Sequence, residues 1–192
     1  MGAAAAAISV AAAAPASAHP HIFIDNTVTF LFEGDRIAGI HQHWVFDDVF
    51  SDQMLSDFDA DGDGTFSAAE SAAVAAETLP NMAEFRYFNY EWVDGKDLGK
   101  IEPSEFVALV ENKLVAFAFV AKLPQPVDPR TQKLKVEIND REYYIEVDLA
   151  KENPVRFKGA EGIACRPVIR DDVENAYYGG FVYPQEITLK CE

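Results

Sequence analysis

Apolar and β-branched residues crowd the stretch 21–32, at Ile22, Phe23, Ile24, Thr27, Val28, Thr29 and Phe30, and return from Ile37 to Phe46. Glu33-Gly34-Asp35-Arg36 supplies turn residues between them, so the pair reads as a β-hairpin. The period then changes. Val49, Phe50, Met54, Leu55 and Phe58 share one helical face at 3.6-residue spacing, behind Asp47 and Asp48 as candidate N-caps. Ser67-Ala-Ala-Glu70 opens an alanine-rich helix that runs to about Thr78, with Pro80 as its expected stop. Aromatics return from Phe85 to Val93, and Asp94-Gly95 marks a turn. Short strand patterns follow at 105–111, 113–122, 132–138, 142–149, 155–158, 163–169 and 186–190, and Pro124, Pro126 and Pro129 mark an extended connection. No internal repeat is visible. The expected fold is mostly β, an antiparallel sandwich-like domain with a helix–loop–helix inserted over residues 47–80.

The loop between the two predicted helices carries readable chemistry. Residues 59–70 are Asp-Ala-Asp-Gly-Asp-Gly-Thr-Phe-Ser-Ala-Ala-Glu, the pattern of an EF-hand calcium loop. Asp59, Asp61 and Asp63 would each offer a carboxylate oxygen. Thr65 would offer its backbone carbonyl, Ser67 would act directly or through water, and Glu70 would close the site with both oxygens. Gly64 permits the positive φ that turns the loop under the ion. Ser67-x-x-Glu70 is also a capping box, which needs no metal. A single loop of this kind fits a structural calcium better than a switch.

Composition and termini bound the compartment. Residues 1–18 form an alanine-rich apolar run, too short to span a bilayer, that ends in Ala16-Ser-Ala18. This reads as an export signal cleaved after Ala18, leaving residues 19–192 as one periplasmic domain; a solvated alanine-rich tail is the alternative. No other segment reads as transmembrane. Sixteen basic residues against 32 acidic ones give a formal net charge of −16, which excludes nucleic acid and anionic membrane surfaces as natural partners. The two cysteines, Cys165 and Cys191, most simply form one disulfide, worth ~3 kcal/mol in the chain-entropy view.

All four histidines fall in His-x-His pairs, His19-Pro-His21 and His41-Gln-His43. Residues i and i+2 of a strand share a face, so each pair could present two imidazoles to one zinc, nickel or copper ion. A two-residue turn at Gly34-Asp35 would set His43 opposite Asn26 and His21 opposite Asp48, too far apart for one four-histidine cage. His21 with Asp48, and His43 with Asp25 after a one-residue slip, are the mixed sites that remain. Ordinary half-buried strand residues and a solvated tail are the competing readings. No nucleophile elbow, P-loop, HExxH or dinucleotide fingerprint occurs, so an enzyme is not expected.

The start His19-Pro-His-Ile-Phe-Ile-Asp25, the stretch Trp44-Val-Phe-Asp47, the loop 59–70, the segment 85–93 and Leu123-Pro-x-Pro together resemble a bacterial periplasmic family filed as a domain of unknown function. Members of that family are often described as a periplasmic component of an ABC-type transport system, with genes beside nickel/cobalt or zinc transporters. The resemblance implies a metal-binding accessory whose partner is a membrane metal transporter. The expected function is thus a periplasmic accessory of divalent-metal transport with one structural calcium. The alternative is a calcium-stabilised interaction module without transition metal.

Overall fold

The computed structural model describes residues 20–192, so the proposed leader 1–18 and His19 lie outside the described residues. The described residues form eleven strands and two α-helices. The strands are β1 (Ile22–Glu33), β2 (Arg36–Phe46), β3 (Asn89–Val93), β4 (Lys96–Asp97), β5 (Pro103–Glu111), β6 (Leu114–Val127), β7 (Leu134–Ile138), β8 (Ile145–Leu149), β9 (Val155–Lys158), β10 (Cys165–Asp171) and β11 (Gln185–Cys191). Helices α1 (Asp48–Phe58) and α2 (Ala68–Ala83) fall between β2 and β3. The first sheet runs β5-β6-β2-β1-β8, with β9 also on β1; the second runs β10-β11-β7-β3-β4. Pairing is antiparallel except that β8 and then β9 run parallel to β1 along its free side. The mostly β expectation with two sheets therefore holds.

The predicted hairpin forms, but its register differs from the expected one. Glu33 pairs with Arg36 and Phe32 with Ile37, as a two-residue turn requires. A bulge at Ala38 then shifts every later pair by one, so His43 faces Thr27 and His41 faces Thr29. The reason is burial. Ile37 and Ile40 are both fully buried, yet their odd spacing would send them to opposite faces of a regular strand. The extra residue turns both inward, opposite Phe32 and Phe30.

The inward faces of the two sheets share one core, which includes Ile24, Phe30, Trp44 and Phe117 from the first sheet and Leu134, Val136 and Ile187 from the second. A chain of buried amides crosses it. Asn26 Nδ2 donates to Gln42 Oε1 at 3.0 Å, Gln42 Nε2 to Asn89 Oδ1 at 2.7 Å, and Asn89 Nδ2 to the Tyr87 carbonyl at 2.5 Å. Three strands from two sheets are linked through buried amides whose pairing is costly to lose.

The helices cover the remaining inward face near β5 and β6. Asp47, rather than Asp48, caps α1; its Oδ1 accepts from the Phe50 amide at 2.9 Å and its Oδ2 from the Phe23 amide at 2.8 Å. Two buried serines satisfy strand amides at the seam: Ser51 Oγ accepts from Val115 and Ser71 Oγ from Ala108, both at 2.9 Å. Helix α2 does not stop at Pro80 but carries it inside. Thr78 Oγ1 donates to the Val74 carbonyl at 2.7 Å and Asn81 Nδ2 to the Glu77 carbonyl at 3.0 Å, and buried Met82 anchors the last turn. The aromatic segment opens with a tight turn in which Arg86, Tyr87 and Phe88 all have positive φ, before β3 begins. Arg86 holds it by bonds of 2.8 and 2.9 Å to Asp97 and 2.7 Å to the Gly99 carbonyl. Cys165 and Cys191 are cross-strand partners in β10 and β11 and form the expected disulfide.

Glu91 pairs with Val136 on the inward face, fully buried, with neither carboxyl oxygen hydrogen-bonded. Burial pushes its pKa up to about 8, the Arg86 charge pulling the other way. The folded protein therefore holds a proton that the unfolded chain releases near its ordinary carboxyl pKa. The contribution of Glu91 to stability therefore falls as pH rises from about 5 through 8. Glu91→Gln should remove this slope, giving a variant that gains on wild type by a few kcal/mol at pH 8.5 and little at pH 4.5, read by urea unfolding.

Candidate functional site

Two clusters of ligand-type side chains were legible in the sequence, and a third was not. The first is the loop between α1 and α2. Asp59, Asp61 and Asp63 each bring one carboxylate oxygen to within 4.8 Å of the others. None of the ion pairs among the described residues involves them. The backbone builds this convergence. Gly62 and Gly64 take positive φ, and Asp59 Oδ1 and Oδ2 accept from the amides of Gly62 and Gly64, each at 2.8 Å. Thr65 donates its amide and its hydroxyl to Asp63 Oδ1, both at 2.8 Å. The capping box of Ser67 and Glu70 forms, and Glu70 Oε1 also accepts from the Ala60 amide at 2.7 Å, tying the two ends of the loop together.

The acids of the loop act on one another. Asp61 is pulled down by the Asp63 amide, but the charges of Asp63, Glu70 and Asp59, with slight desolvation, carry its pKa above the ordinary value. Glu70 is held below it, mainly by the amide and hydroxyl of Ser67 and by the Ala60 amide. Convergent aspartates without a basic partner fit a hard dication. Asp59, Asp61 and Asp63 would hold it, with the Thr65 carbonyl, Ser67 and Glu70 completing the oxygen set.

The second cluster lies on the outward face of the first sheet. Because Ile40, Gln42 and Trp44 point inward, His41 and His43 point outward together. They line a groove of about 580 Å³ with Asp25, Thr27, Thr29, Glu111 and Arg156. Thr27, Thr29 and Ala118 are small neighbours that leave the imidazoles room. His43 Nε2 lies 3.1 Å from Glu111 Oε2. Partial burial, then the charges of His43 and Lys158, lower the pKa of His41 against the opposing effect of Glu105. His41 is thus biased toward the neutral, lone-pair-bearing imidazole that a metal ion needs.

His21 is not part of this groove. Its amide donates to the Tyr144 carbonyl at 2.8 Å, and its ring packs 4.8 Å from the Tyr144 ring. It does not face Asp48, because β2 ends at Phe46 and Asp48 already belongs to α1. Asp25 and His43 do line the same groove.

The third cluster is buried on the outward side of the second sheet, where carboxylate oxygens of Glu137, Asp172 and Glu186 lie within 4.8 Å of one another. Here cations are built in. Lys135 Nζ donates to Glu137 at 2.8 Å and to Asp172 at 2.7 Å, Arg170 pairs with Glu186, and Arg141 lies 3.5 Å from Glu137. Burial raises the pKa of Glu137, while bonds from Lys135 and Asn175 overcome burial to hold Asp172 well below the carboxylate range. Three carboxylates against three cations make a neutral network, which clasps the 172–175 turn to the sheet. Sequence reading missed it because only strand pairing sets 137 beside 186, and Asp172 joins them from the turn after β10.

The sequence profile of one family, described as protein of unknown function DUF1007, matches residues 4–179. The chain belongs to the DUF1007 family. An uncharacterized 15.5 kDa protein in the trpE 3′ region of Spirochaeta aurantia is 28% identical over 131 residues, covering 68% of this chain and 93% of that protein. An uncharacterized protein of Haemophilus influenzae is 22% identical over 194 residues, covering 91% of this chain and 92% of its own length. No solved structure matches.

Removing one cation from the neutral network leaves buried charge behind. Lys135→Met should cost ~3–5 kcal/mol in urea unfolding at pH 7. Combining it with Glu137→Gln should recover part of that loss.

Proposed function

We propose that this protein is a periplasmic accessory of divalent transition-metal transport, binding zinc, nickel or cobalt at His41 and His43 and stabilised by one calcium ion in the 59–70 loop. The observation that carries the reading is the outward pair itself. Two imidazoles stand side by side in a groove, outside the core and with space around them. His-x-His on the outward face of a strand suits metals that prefer nitrogen donors, and Glu111 beside His43 offers a further oxygen or a partner that orients the ring. The ion is cargo: an open, partly exposed site with few protein ligands favours exchange, where a closed four-ligand cage favours retention. The helix–loop–helix is read as an EF-hand-like insertion because its three aspartates converge without a basic partner. Its helices close the core through Ser51, Ser71 and Met82, so ordering the loop steadies the sheet beneath.

Export is part of the same proposal. Cys165 and Cys191 form a disulfide, which belongs in an oxidising compartment, and no helix among the described residues is long and apolar enough to cross a membrane. The partner is a membrane metal transporter, to which cargo would pass from the groove. No enzymatic role is proposed.

Two measurements test the two ions separately. Calcium at about a hundredfold over its dissociation constant should raise the melting temperature by roughly 5–10 °C. Asp59→Ala and Glu70→Ala should each remove this increment, whatever they do to the calcium-free protein; a retained shift would rule out the loop. Zinc or nickel titrated calorimetrically into metal-stripped protein should bind at least tenfold more weakly to His41→Ala/His43→Ala, with the calcium shift intact. Unchanged affinity in that variant would leave the calcium-stabilised interaction module as the reading.

A further inference from the structure

The groove around His41 and His43 is acidic. Its lining sets Asp25, Glu111 and Glu152 against Arg156, so the acids are in excess by two, the charge of one divalent cation in reverse. Glu111 is already engaged, 3.1 Å from His43 Nε2. Asp25 and Glu152 are not. Both are exposed, and neither joins any of the ion pairs among the described residues. Thr27 and Thr29, the cross-strand partners of His43 and His41, add two hydroxyls to the same groove.

These acids are not set as direct partners of an ion at the imidazoles. Among the described residues, three ligand-type side chains converge within 4.8 Å in the 59–63 loop and at Glu137, Asp172 and Glu186, and the groove is not one of these groups. Strand geometry gives the reason for Asp25. It pairs with Val45, whereas Thr27 pairs with His43, so Asp25 stands one outward row away, ~7 Å along the strand. Glu152 belongs to the connection between β8 and β9. A metal-bound water spans what a direct bond does not: about 2 Å to the ion and ~2.7 Å onward to a carboxylate oxygen make ~4–5 Å. The groove, at about 580 Å³, has room for a hydrated ion and is too large for a bare one.

We propose that the groove holds its ion as a six-coordinate aquo complex. His41 and His43 fill two adjacent positions, and the waters that remain donate hydrogen bonds to Asp25, Glu152, Thr27 and Thr29. The inference rests on the metal reading of His41 and His43, and it names the form of the cargo and the ions selected. Docking exchanges two metal-bound waters for two imidazole nitrogens, with no change of oxidation state. Ionised carboxylates accept hydrogen bonds and have none to give, which matches a shell of water donors around a dication. Two nitrogens and four waters suit nickel and cobalt. Zinc prefers four ligands and would shed the waters on which Asp25 and Glu152 act. The two acids are therefore specificity residues that work through water.

The probes are the aquo ions of nickel(II), cobalt(II) and zinc(II), titrated calorimetrically into the full chain in excess calcium, which occupies the 59–70 loop. The visible spectrum of the cobalt complex reads the coordination number. Wild type should bind nickel at least about threefold more tightly than zinc and give the weak absorption of six-coordinate cobalt. Asp25→Asn/Glu152→Gln should bind nickel about 3- to 10-fold more weakly, with the cobalt bands unmoved because the atoms on the ion are the same. Glu105→Gln removes a charge that reaches His41 from outside the groove lining, and should change nickel affinity by less than about twofold. Four results would each overturn the aquo complex and leave the metal reading standing: intense four-coordinate cobalt absorption in wild type, zinc bound as tightly as nickel, shifted cobalt bands in the double variant, or a nickel loss there no larger than in Glu105→Gln. If His41→Ala/His43→Ala binds nickel as wild type does, the metal reading falls and the aquo complex with it. An unchanged melting temperature in each variant verifies that the fold is intact.

Discussion

One extra residue decides which side of this protein meets the outside. Ala38 bulges from β2, and from that point the strand directs Ile40, Gln42, Trp44 and Phe46 into the core. With a period of two, His41 and His43 have no choice but the other face. Removing the bulge residue would turn Trp44 outward, send both histidines into a closed apolar interior and break the amide chain from Asn26 through Gln42 to Asn89. The burial of large side chains and the pairing of interior amides thus hold the imidazoles in place, with no local interaction needed at the groove itself.

The acidic clusters show how the same side chains serve opposite ends. In the 59–70 loop the carboxylates converge near solvent with no basic partner, and the amides of the loop itself are the donors they accept from. At Glu137, Asp172 and Glu186 the carboxylates are buried, and lysine and arginine come with the fold. The first arrangement has no cation of its own; the second already contains its cations. The distinction lies in what surrounds the acids, and counting acidic residues alone does not reveal it.

Local chemistry was the part of this protein that could be read from the sequence. The hairpin, the glycines of the loop, the capping box at Ser67 and the pairing of the only two cysteines follow from short-range rules, and all appear. Three features did not follow. The bulge arises because Ile37 and Ile40 both have core to fill. Helix α2 passes Pro80 because buried Met82 and side-chain bonds to backbone carbonyls sustain its last turn. The left-handed turn at Arg86–Phe88 depends on Asp97 and Gly99, which lie beyond the following strand. Arg156 and Glu111 joined the candidate groove for the same reason: only long-range strand pairing brings them to His41 and His43.

Strand β1 pairs on one side with its immediate successor and on the other with β8 and β9, more than a hundred residues later. Such distant pairing raises the contact order and slows closure of the sheet. Until residues 145–158 arrive, an emerging chain carries a twelve-residue strand with one side bare, rich in isoleucine, valine and phenylalanine. That bare side is a template for pairing with a neighbouring chain. Biogenesis of this molecule is therefore a race between self-completion and aggregation, and a holding chaperone that shields β1 would tilt it toward the folded product.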